Sequence, residues 1–74
     1  MDKYSCLAYL LFQVEDENAK NMAIRLIQGD ITLQEAKADP LVSPYLETCE
    51  KMLKKQPPTV EHVYAFIEEY LYAF

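Results

Sequence analysis

Apolar positions recur along this chain at intervals of three and four, and no stretch long enough to judge alternates with the period of two expected of a half-buried strand. The first predicted helix runs from Lys3 to about Val14 and places Tyr4, Leu7, Leu10, Leu11 and Val14 on one face. Its other side carries Ser5, Tyr9, Phe12 and Gln13, so even the outward face is half apolar. From Tyr4 to Val14 there is no charge at all. A helix of this kind either sits at the centre of a bundle or leaves Tyr9 and Phe12 on a sticky surface.

Glu15, Asp16 and Glu17 close that run abruptly, and acidic residues favour a helix N-terminus. The reading adopted is a break near Asp16, although nothing local forbids one continuous helix over 4–28. The second helix then reaches Gln28, with Ala19, Met22, Ala23, Leu26 and Ile27 inward and Lys20, Asn21, Arg25 and Gln28 toward solvent. Gly29, the only glycine, stands where a left-handed C-cap is needed. Thr32 and Glu35 have the spacing of a capping box, which predicts a short helix that Pro40 stops near Asp39.

Ser43 is expected to cap the next helix, with Pro44 at the first position, where a missing amide costs nothing. That helix, Pro44 to about Lys55, directs Tyr45, Leu46, Cys49, Met52 and Leu53 inward. Glu47 and Glu50 stand four residues ahead of Lys51 and Lys54, a helix-stabilising spacing. Pro57 and Pro58 end it, and Thr59 caps a last helix from Val60 to about Ala73. Its expected inner face is Val63, Tyr64, Ile67, Tyr70, Leu71 and Phe74, with Phe66 on a flank and Glu61, Glu68, Glu69 and Tyr72 outside. The predicted fold is all-α: one domain over residues 1–74, a compact bundle of about four helices with one short connector helix.

Composition agrees with a chain that folds, since Leu, Ile, Val and Phe make up about a quarter of it. A domain of 74 residues hides little of its surface, so a staple or partner is welcome, and none of the usual staples is visible. Cys6 and Cys49 are far apart in apolar surroundings and read as free buried thiols. With one histidine, His62, they cannot supply a clustered zinc site. Glu15, Asp16 and Glu17 lack the glycine and the spaced ligands of a calcium loop. No cofactor is expected.

Charge narrows the partners. A net charge of -5 gives no basic field to displace counterions from phosphates, so nucleic acid is not an expected partner. The apolar run Tyr4 to Val14 is too short to span a bilayer, and no cleavage-site pattern follows it, so neither membrane nor export is expected and a cytoplasmic or virion-internal setting is the default. His62 with Glu61, or with a cysteine brought near by folding, is the only nucleophile-and-base arrangement available, too thin to suggest an enzyme.

The aromatic residues are unevenly placed, with five of nine in the last eleven positions: Tyr64, Phe66, Tyr70, Tyr72 and Phe74. Downstream of Lys55 there is no basic residue, while Glu61, Glu68 and Glu69 remain. Aromatic rings beside carboxylates suit docking against a basic groove, the charges speeding encounter and the rings supplying affinity. The expected partner-binding residues are therefore Tyr9, Phe12, Glu61, Phe66, Glu68, Glu69, Tyr72 and Phe74. The expected function is a small acidic, non-enzymatic protein–protein interaction module, a homodimeric regulator or inhibitor of a protein partner. Two alternatives stand beside it: a structural subunit of a larger assembly, and an immunity or antitoxin-type protein masking a basic partner.

Overall fold

A computed structural model describes residues 3–71. Five helices follow in order: α1 (Lys3–Phe12), α2 (Glu17–Gln28), α3 (Leu33–Ala38), α4 (Ser43–Lys55) and α5 (Val60–Leu71). The fold is the predicted all-α bundle with a short connector, α3, and no strand occurs among the described residues.

The chain breaks between α1 and α2 where the acidic cluster begins. The amides of Gln13 and Val14 bond back to the carbonyls of Leu10 and Leu11, tightening the last turn so that α1 stops at Phe12 rather than Val14. Asp16 then takes extended geometry and its carboxylate accepts the Ala19 amide at 3.1 Å, capping α2. One stretch of sequence thus becomes an antiparallel hairpin. At its far end the Tyr4 hydroxyl is shared between the carbonyls of Leu26 and Ile31, at 3.1 and 3.0 Å. Near the turn, Lys20 Nζ donates to the Phe12 carbonyl at 2.8 Å, so Lys20 folds onto α1 instead of pointing to solvent as expected.

Gly29 has φ +80°, and the amides of Gly29 and Asp30 bond to the carbonyls of Leu26 and Arg25, a Schellman closure of α2. The capping box at Thr32 and Glu35 is present in both directions. The Ser43 expectation is corrected: Ser43 lies inside α4, and Val42 is the N-cap, with no side-chain hydrogen bond. The Asp39 carbonyl accepts the amides of Val42 and Ser43, so a backbone turn after Pro40 leads straight into α4 and a hydroxyl cap is not needed.

The core is built around α1, whose Cys6, Leu7, Ala8, Leu10 and Leu11 are all buried. Ala19 and Ala23 of α2 meet them with side chains small enough for close backbone approach, and Met22, Leu26, Ile31, Ala36, Val42, Leu46, Cys49 and Phe66 complete the cluster. Helix α1 packs against α2, α4 and α5, which makes it the central element. Glu50 does not pair along its own helix with Lys54; its carboxylate meets Lys37 Nζ at 3.2 Å and Lys3 Nζ at 3.8 Å, tying α4 to α3 and α1. These are exposed links of small energetic weight.

Candidate functional site

Helix α5 lies against α1 and α2 and is held by a cluster of rings. Its inner face differs from the predicted one. Phe66, placed on a flank by the sequence reading, is only 5% exposed and packs in the core, whereas Tyr64, placed inward, is 55% exposed. Val63, Phe66, Ile67 and Tyr70 form the inward stripe, at i, i+3, i+4, i+7. That stripe has a cleaner helical period than one anchored on Tyr64, and it was the signal available in the sequence.

Phe66 is the hub of the ring cluster. Tyr9 meets it edge-on at 6.0 Å and 72°, Phe12 lies 5.2 Å away, and Tyr70 lies 5.4 Å from Phe66 and 4.7 Å from Phe12. Such pairs add to the area they bury. Tyr9 and Phe12, expected on an exposed surface unless they found a crevice, are half-buried under α5. Lys20 Nζ stands 4.9 Å from the centre of the Phe12 ring, a cation on an aromatic face. Gln28 Nε2 donates to the Tyr70 carbonyl at 3.1 Å, so this residue too turns to α5 instead of to solvent.

Around the rings a cleft of ≈ 240 Å³ opens between α1 and α5, lined by Tyr9, Phe12, Gln13, His62, Ala65, Phe66, Glu69 and Tyr70. Burial first, and then the neighbouring Glu69 carboxylate, push the Tyr70 phenol above its ordinary value. His62 and Glu69 share the cleft, but no thiol joins them: Cys49 lines a different groove and Cys6 is buried elsewhere in the core. Burial raises the Cys49 thiol, the opposite of what a nucleophile needs.

The outer face of α5 presents Glu61, Tyr64 and Glu68, all exposed and spaced three or four apart along one ridge. Among the described residues both ion pairs converge on Glu50, and none reaches α5. Glu61, Glu68 and Glu69 therefore stand exposed as expected, with Glu69 facing the cleft and the other two on the ridge. Of the remaining predicted contact residues, Phe66 is withdrawn into the core, while Tyr72 and Phe74 lie outside the described residues. His62, Ala65 and Gln13, which the sequence reading did not select, join the cleft.

A second, more apolar groove of ≈ 430 Å³ separates α1 from α4, lined by Leu10, Gln13, Val14, Tyr45, Thr48, Cys49 and Met52. Met52, expected inside, is 47% exposed at its rim. The Tyr45 hydroxyl donates to the Asp16 carboxylate at 3.2 Å and closes one end.

Among the described residues no group of three His, Cys, Asp or Glu could hold a metal ion, and no helix is long and apolar enough to cross a membrane. Comparison with protein-family models, with curated proteins and with solved structures returns no match.

Proposed function

We propose that this chain is a non-enzymatic protein–protein interaction module that uses the outer ridge of α5 to occupy a basic surface on a protein partner, regulating or inhibiting it. The observation that carries this reading is the ridge itself: Glu61, Tyr64 and Glu68 stand exposed on one helix face, with no ion pair on α5 among the described residues. Unpaired carboxylates attract a basic surface over a distance and suppress acidic partners, and an exposed tyrosine supplies area at low entropic cost.

The expected homodimer draws less support than the ridge, because Tyr9 and Phe12 are covered by α5 of their own chain. Among the described residues the large exposed apolar ones, Leu41, Met52, Val60 and Tyr64, are spread over three separate parts of the chain. The alternative of an assembly subunit rests on the α1–α4 groove, whose apolar lining suits a permanent contact.

The test is affinity capture from the native host, run in parallel with the wild-type chain and with a Glu61→Lys, Glu68→Lys variant. The wild type should retain a basic protein at low salt and release it at high salt. Reversing two charges should weaken that capture by about tenfold or more while leaving helicity unchanged. Equal retention of the same protein by both chains would remove the ridge from the binding surface.

A further inference from the structure

We infer that the cleft between α1 and α5 is a receptor for a single arginine side chain of that basic partner, held on the rings of Tyr9 and Tyr70 and paired with the Glu69 carboxylate. The inference rests on the proposed reading of α5 as the face for a basic partner, and it adds a specific pocket and a specific guest. Three observations on different residues support it.

The first is the lining. Tyr9, Phe12 and Tyr70 surround the buried Phe66 in an open cleft of ≈ 240 Å³, and exposed Glu69 stands on its wall. Aromatic faces carry negative quadrupole charge, so rings and a carboxylate together select a cation over a neutral or acidic group.

The second is that one ring of this cluster already takes a cation. Lys20 Nζ, from the same chain, lies over Phe12 at 4.9 Å while donating to the Phe12 carbonyl. Lys20 thereby uses the Phe12 face, and an incoming cation is left with Tyr9, Tyr70 and Glu69. The third is charge balance: α5 has Glu61, Glu68 and Glu69 and no Lys or Arg, with His62 as its single imidazole, so an incoming cation meets a net acidic helix despite Lys20.

Arginine fits better than lysine. A planar guanidinium lies flat on a ring while its N–H groups point sideways to a carboxylate, and it is more weakly hydrated than an ammonium, so it loses less on entering a half-buried cleft.

The test uses the full chain and a blocked tri-arginine peptide, with tri-citrulline as the counterpart that keeps the shape and loses the charge. Binding is followed by aromatic and methyl NMR. Tri-arginine should shift the ring signals of Tyr9 and Tyr70 and the methyl of Ala65 in a saturable way, and tri-citrulline should bind at least about tenfold more weakly. Glu69→Gln should cost about the same factor, whereas Glu47→Gln, an equal loss of charge on exposed α4, should change affinity by less than about twofold.

Equal binding of the citrulline peptide would overturn the inference, because it would make the cleft an apolar pocket. Shifts confined to the ring of Tyr64, which stands between Glu61 and Glu68, would overturn the cleft and leave the ridge reading standing. Shifts nowhere on α5 would overturn both.

Discussion

The α1–α2 hairpin and α5 differ in how they hold their place. The hairpin buries nine residues of its two helices, Cys6, Leu7, Ala8, Leu10, Leu11, Ala19, Met22, Ala23 and Leu26, and its turn and far end are both fastened by hydrogen bonds. Helix α5 has two buried residues among those described, Val63 and Phe66, and depends on the ring cluster and on Gln28. A helix that buries two side chains leaves most of its area free. The hairpin is built for stability, and α5 combines modest attachment with an accessible surface.

The largest effect that could test this contrast is a cavity in the hairpin. Leu11 is fully buried, so Leu11→Ala should cost about 3–4 kcal/mol, a large share of the stability of so small a domain. Helical circular dichroism should melt in one transition at a much lower temperature, with α4 and α5 lost together with α1. A variant that keeps wild-type thermal stability would show that the centre of the bundle lies elsewhere.

Phe66→Ala should cost less overall, although the residue is larger. Removing the hub ring weakens α5 locally, and once α5 detaches the loss no longer propagates, so the global cost is bounded by the free energy of that detachment and falls below the about 3–5 kcal/mol of a fully buried Phe→Ala change. Native-state hydrogen exchange should show amides of α5 losing protection while those around Leu7 and Leu26 keep most of theirs. If α1 and α2 lose protection in step with α5, the bundle is one cooperative unit and the contrast fails.

The same two regions differ in how well the sequence specified them. The hairpin was legible because its signals are local and redundant: a charge-free run, an acidic cluster, a helical stripe and a glycine at the stop. The face of α5 was not, because an aromatic-rich helix offers several stripes of similar hydrophobicity, and the choice between Phe66 and Tyr64 is made by Tyr9 and Phe12, more than fifty positions away. Ser43 misled for a related reason. A good capping residue before Pro44 is only a local preference; the turn through Asp39 carries the chain into the helix one residue earlier, and the Leu46 amide that a Ser43 hydroxyl would have served goes to the Val42 carbonyl instead. Glu61, Glu68 and Glu69 could be placed outside because charged side chains remain in water without a partner to bury them.

The smallest expected effect is a titration that separates the regions. Tyr70 on α5 and Tyr45 on α4 both have phenols raised from 10.0, Tyr70 chiefly by burial and Tyr45 chiefly by its hydrogen bond to Asp16. A phenol raised in the folded state favours folding while it stays neutral. That contribution is complete below 10.0 and is lost as pH rises through the raised folded value. Alkaline solution should therefore loosen α5 through Tyr70 and the joint between α4 and the α1–α2 turn through Tyr45. Methyl signals of Val63 and Leu46 report the two sites separately. Above pH 10, Tyr70→Phe should keep the Val63 signal native-like to higher pH than in the wild type with little change at Leu46, and Tyr45→Phe should do the reverse. If either substitution protects both signals equally, ionisation opens the whole bundle at once and α5 has no separate attachment.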